Sequence, residues 1–124
     1  MSALTQGNTA GDWLKDEFGA PNHCREAATL ASGQDLASGA VVALGAGSTY
    51  SAFIHDDGTY GTAAGVLVDA VDASGGAADC VVLVRGPATI KKSALAWHAD
   101  NDAAEIVIGL ASLKALGIIA REGV

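Results

Sequence analysis

The sequence predicts a small α+β domain, mainly β, with one principal helix near the C-terminal end and an irregular arm ahead of the domain. Three observations carry this. Two valine- and leucine-rich runs, residues 64–72 and 79–85, flank Ala73-Ser74-Gly75-Gly76-Ala77-Ala78 and are too short for typical helices. Further short apolar runs recur between glycine-rich turns, the pattern of a sheet or barrel rather than an alternating α/β layer. Sustained helical periodicity with a capping signal is confined to residues 102–116.

The two central runs are expected to pair as a hairpin. In the first, Val66, Val68 and Ala70 alternate with Leu67, Asp69 and Val71, so Asp69 marks an edge or a sheet end. The second is without a polar residue from Cys80 to Val84 and reads as a central strand covered on both faces, closed by Gly86-Pro87.

Upstream, Arg25-Glu26-Ala27-Ala28-Thr29-Leu30 reads as a strand ended by the turn residues Ser32, Gly33 and Asp35. Ala40-Val41-Val42-Ala43-Leu44 forms a second strand, and Tyr50, Ala52 and Ile54 alternate with Ser51 and Phe53 as a third. Downstream, Ala88-Thr89-Ile90 extends the chain towards the helix. There Asp102 and Glu105 have the capping-box spacing, while Ile106, Leu110 and Leu113, with Val107 and Leu116 beside them, form the apolar side. Gly117 fits the position past the helix end, and Ile118-Ile119-Ala120-Arg121 reads as a last short strand.

Residues 1–23 have no sustained period and read as an arm, leaving residues 24–124 as a single domain. Within the arm, Leu14 and Phe18 would share one side of a helical turn too short to be stable alone. The island of Trp13, Leu14 and Phe18 has two readings: it folds back onto its own domain, or it becomes ordered against a partner surface.

Half of the 124 residues are hydrophobic, yet only 5% are aromatic and 16 are glycine, so alanine and valine must fill a thin core. Such a chain gains from oligomerising. A net charge of -7 without a basic run opposes sequence-independent nucleic-acid binding. The first twenty residues lack the basic and apolar regions of a signal peptide, and no run has the length of a membrane span. A soluble protein made in a cytoplasm, with Cys24 and Cys80 as free thiols, is expected.

The sites of chemistry that the letters invite are better explained by structure. Gly45-Ala46-Gly47 is not a dinucleotide fingerprint, because the third glycine position falls at Tyr50 and no helix follows. His23 and Cys24, as neighbours in an extended segment, point to opposite sides. A hydrolase pairing Cys24 with His55 or His98 ranks behind every binding role. Two cysteines and three histidines without close pairing do not form a zinc site, and Asp56-Asp57 and Asp100-Asn101-Asp102 lack the spacing of a calcium loop. No catalytic residue, metal or cofactor is expected. Lys91-Lys92 reads as a solvated edge, and Trp97 as a packing residue or the anchor of a subunit contact.

With these segments in place the chain resembles the head decoration proteins of lambda-type tailed phages. The matching pieces are Leu30-Ala31-Ser32-Gly33-Gln34 with Leu36 and Ser38-Gly39 before a Val-Val strand, Ala63-Ala64-Gly65-Val66-Leu67 with Ala70-Val71-Asp72-Ala73-Ser74, and Val81-Val82-Leu83-Val84-Arg85-Gly86-Pro87. Leu95-Ala96-Trp97 and Leu113-Lys114-Ala115-Leu116-Gly117-Ile118-Ile119-Ala120-Arg121 complete the pattern, which spans residues 25–121 in the family's order. The resemblance implies a β-tulip-like domain that forms homotrimers on the outer surface of the expanded head, at three-fold and quasi-three-fold positions, and stabilises the capsid without catalysis. It implies the major capsid protein as partner, with no nucleic acid or membrane involved, and residence in the virion after assembly in the host cytoplasm. An N-terminal arm contacts the capsid in that family. By position and chemistry the contact falls here on Leu4, Thr5, Trp13, Leu14 and Phe18, with Trp97 as a trimer contact. The alternative is a small β-rich binding module of another virion or cell-surface assembly.

Overall fold

Leu30, Val42, Tyr50, Leu67, Cys80 and Val82 come from five separate strands and pack into one buried cluster, with alanines such as Ala28 and Ala78 filling in. The computed structural model describes residues 13–17, 24–45, 49–55, 60–86 and 88–121. Its strands are β1 (Leu14–Glu17), β2 (Arg25–Leu30), β3 (Asp35–Leu36), β4 (Val41–Leu44), β5 (Thr49–Ala52), β6 (Ala63–Leu67), β7 (Val71–Asp72), β8 (Ala78–Leu83), β9 (Ala88–Lys91) and β10 (Ile118–Arg121). The helix α1 (Ala103–Ala115) lies between the last two. Strands β2, β5, β4, β6 and β8 close into a barrel in that order, and the first cluster fills its lumen. A handful of side chains is enough to fill it, because a barrel's diameter falls with strand number.

Alternation along each strand sends the other residues outward. Val41, Ala43, Ala63, Val66 and Leu83 leave the barrel wall to join Trp13, Phe53, Ile90, Leu113 and Ile118 in a second core. That core lies between the wall and an outer layer made of α1 and the three-stranded sheet β1-β9-β10. The mainly β architecture with one C-terminal helix is thus observed as the sequence predicts. The barrel closes, with β8 antiparallel to β2 over six residue pairs from Arg25↔Leu83 to Leu30↔Ala78.

Three expectations change. The run 64–72 is not one strand: β6 ends at Leu67 and pairs with β8 only through Val66↔Leu83 and Leu67↔Val82, while β7 turns away to pair with β3. Asp69 is exposed where the chain leaves the wall. Strand β8 is central but covered unequally, since Cys80 and Val82 face the lumen whereas Asp79 is exposed and Val81 half-buried on the other side. The third strand ends at Ala52, two residues before Ile54. Two parallel pairings, β2 with β5 and β9 with β10, were outside the expected pattern.

Helix α1 has the expected cap. The Asp102 side chain accepts from the Glu105 amide at 2.9 Å, and the Glu105 carboxylate accepts from the Asp102 amide at 2.9 Å. Its buried face differs from the expected one. Gly109 and Leu113 are buried, with Leu110 packed against the core, whereas Val107 is 62% exposed, Ile108 44% and Leu116 38%. The rings of Trp97 and Phe53 lie where a side chain on Gly109 would stand. Glycine therefore belongs to the inward face, and at 100° per residue Val107, two positions earlier, points away from it.

Tyr50 and Cys80 are both buried in the lumen. Burial pushes the Tyr50 phenol up, with Cys80 adding to it, and burial pushes the Cys80 thiol up, with Asp79 adding to that. Each group is neutral when protonated, so the unfolded chain loses these protons at the ordinary 9.0 and 10.0 while the folded chain keeps them. Their contribution to stability is complete below about pH 9 and is lost as pH rises through the raised folded values. Urea melts from pH 8 to 11 are expected to show this decline, and a Tyr50→Phe chain is expected to decline less steeply.

Candidate interaction surfaces

Strand β1 lies along one edge of the outer sheet, antiparallel to β9 from Leu14↔Ile90 to Glu17↔Ala88. Trp13, just before it, is fully buried. Its indole N–H donates to Ser38 Oγ at 2.9 Å, and the Ser38 hydroxyl donates to the Val68 carbonyl at 2.5 Å, so the buried polar atoms form a closed relay. Gly39 has φ +90, and a Cβ there would stand 3.0 Å from Trp13 Cδ1. Ser38-Gly39 is therefore the seat of the indole: one residue supplies the acceptor, the other the space.

This corrects the arm boundary. Residues 13–17 belong to the folded domain, with Trp13 in the core and Leu14 half-buried against it, in a strand instead of a helical turn. Of the two readings of that island, Trp13 and Leu14 follow the one that folds back. Leu4, Thr5, Phe18 and the Asp56-Asp57 turn lie outside the described residues.

Trp97 is half-buried. Its ring meets Phe53 edge-on with centroids 6.2 Å apart and an interplanar angle of 71°. It also borders a groove of about 220 Å³ lined by Leu36, Ala37, Ala52 and His98. The loop that leads from Trp97 to α1 is fixed by Asn101, which donates to the Phe53 carbonyl at 2.8 Å and accepts from the His55 amide at 3.0 Å.

Outward, α1 presents Val107 and Ile108 in line with the exposed Ala104 and Ala111, so the helix is apolar on two opposite faces. A helix apolar all round normally has cover on both sides. Where its C-terminal half meets β10, a groove of about 240 Å³ is floored by Leu110, Ala111, Ile119 and Ala120 and flanked by Lys92 and Lys114. On the barrel, the exposed side of β2 and β8 forms a wider groove of about 530 Å³ containing Ala27, Thr29, Val71 and Val81, with Asp69 and Asp79 at its margin. Neither of these last two grooves is legible in the sequence, because each collects residues from distant segments.

Cys24 and Cys80 are buried thiols, not joined in a disulfide. A raised Cys80 pKa is the opposite of nucleophile activation. Among the described residues no three His, Cys, Asp or Glu side chains are grouped to hold a metal ion, and no helix is long and apolar enough to cross a membrane. The chemistry these elements offer among the described residues is recognition through surfaces: exposed apolar side chains and two grooves of opposite charge. That is the equipment of a structural assembly protein. The family model for bacteriophage lambda head decoration protein D matches residues 3–118, and the chain belongs to that family. With membership comes a capsid-associated structural role. Comparison with curated proteins returns no match.

Proposed function

We propose that this protein binds the outer surface of an expanded phage head as a homotrimer at three-fold and quasi-three-fold positions and stabilises the capsid there. The observation that carries this is the family match over nearly the whole chain, residues 3–118. The major capsid protein is the partner, and the contact is made by the arm ahead of Trp13, which includes Leu4 and Thr5. Burial of Trp13 supports this division, since a fully enclosed indole holds the start of the domain and leaves the preceding residues for the partner. Trp97 and the exposed apolar side of α1 serve contacts between subunits. A trimer presents three arms, so weak individual contacts become strong attachment. The protein meets the head in the host cytoplasm, acts without catalysis, and remains in the virion.

The test is to add the purified protein to expanded heads assembled from the cognate capsid protein and image them by electron microscopy. Added density at the three-fold positions is expected. Bare heads at saturating protein would overturn the reading.

A further inference from the structure

The chain carries 14 acidic residues and only seven lysines and arginines, so two copies repel unless the cations are concentrated at the contact. They are concentrated. Lys91 and Arg121 stand side by side in register on β9 and β10, and Lys92 and Lys114 flank the groove between α1 and β10. Lys92, Lys114 and Arg121 are exposed. The groove floor is apolar, and the exposed Val107 and Ile108 extend the apolar surface along the helix.

The β2–β8 face of the barrel is its complement. There the groove is lined by Ala27, Thr29, Val71 and Val81, and the exposed Asp69 and Asp79 supply the opposite charge. Asp79 lies opposite Thr29 in the β2–β8 ladder, on the same outward side as Val81 and Ala27. One patch is thus apolar with cations, the other apolar with carboxylates, and both belong to the same chain.

Three identical subunits around a three-fold axis cannot contact each other through a single self-complementary patch. Each must offer two different surfaces, and every contact joins the first surface of one copy to the second of the next. We propose that the lysine-flanked α1–β10 groove of one copy seats on the Asp69/Asp79 face of the next, and that three such head-to-tail contacts close the trimer. The inference rests on the trimeric reading above and assigns its interface. Charge complementarity selects a second copy of this chain as the occupant: the basic groove requires an acidic apolar partner, and the barrel offers one in every subunit.

Sedimentation velocity on the full-length chain tests this, with far-UV melting curves to monitor the fold. All four charged positions are exposed, so their reversal leaves the domain folded. Wild type is expected to sediment as a trimer, more tightly in low salt than at high ionic strength. K92E/K114E and D69K/D79K are each expected to raise the concentration for half-assembly about 100-fold, since opposed like charges weaken a contact by several kcal/mol. The fourfold exchange K92E/K114E/D69K/D79K restores opposite charges at every contact and is expected to return to within about tenfold of wild type. The milder pair K92Q/K114Q weakens assembly in the same direction.

Double variants that assemble like wild type would overturn this interface and leave the trimer standing. A fourfold variant no better than the doubles would show that the two surfaces do not meet each other. Variants that remain trimeric but fail to bind heads would assign the groove to the capsid instead. A wild type that stays monomeric at high concentration and low salt would overturn the trimer itself, and this interface with it.

Discussion

Removing residues 1–12 is expected to leave a folded domain that no longer attaches to heads, whereas continuing the deletion through Glu17 is expected to unfold it. The contrast comes from one side chain and one strand. Trp13 is fully buried, and cutting a buried aromatic back to alanine removes about 3–5 kcal/mol. The longer deletion also strips β1 from β9 and leaves the Ser38 hydroxyl without the indole donor. A small domain has only about 5–15 kcal/mol of net stability, so these losses together exhaust it. Far-UV circular dichroism with thermal melting reads the folding half, and co-pelleting with expanded heads reads the binding half. The single substitution Trp13→Ala gives the intermediate result: a folded chain in the cold, weakened by about 4 kcal/mol. A cooperative, undiminished melt after deletion through Glu17 would show that the seat on Ser38-Gly39 contributes little.

The second large effect is expected at Gly86. A Cβ built there would overlap the carbonyl oxygen and carbon of Gly117, both backbone atoms. Flexible side chains can swing aside, but this crossing of two backbones cannot. The crossing is also fixed by hydrogen bonds, from the Gly86 amide to the Leu116 carbonyl at 2.9 Å and from the Ala88 amide to the Gly117 carbonyl at 3.1 Å. Through them the end of α1 is joined to the start of β9. Gly86→Ala must separate the two segments, an overpacking change worth about 3 kcal/mol, or roughly 12 °C in melting temperature. Gly75→Ala is the control, because nothing lies within 4 Å of the site and the change shortens no contact. Its melting temperature is expected to stay at or slightly above wild type. Equal melting of the two variants would mean the crossing relaxes freely.

The barrel was legible in the sequence because its strands announce themselves locally, by alternation in β5 and by apolar density in β4 and β8. The helix was legible from Asp102 and Glu105. What escaped detection depends on partners far along the chain. Residues 14–17 pair with β9 about 75 positions later, and their letters carry no strand pattern of their own. The inward face of α1 was misread because Gly109 does not count as apolar, although it is buried beneath two aromatic rings. The family resemblance included Ser38-Gly39 as an unexplained pair, and only the folded chain shows that it houses Trp13. Charge gave least warning of all. Lys92, Lys114 and Arg121 are scattered in sequence and share a surface only once α1 has turned the chain back beside β9.

Register in the outer sheet has a mechanical consequence. Leu14 stands opposite Ile90 and Arg121 opposite Lys91, so the two ends of the described domain emerge at the same end of β9, about 10 Å apart across one intervening strand. A tether leaving through either end departs from the same edge of the molecule. Tension drawn through the leading segment reaches Trp13 before any strand. The indole then works as a cleat, and the line must pull it from its socket before the sheet begins to peel.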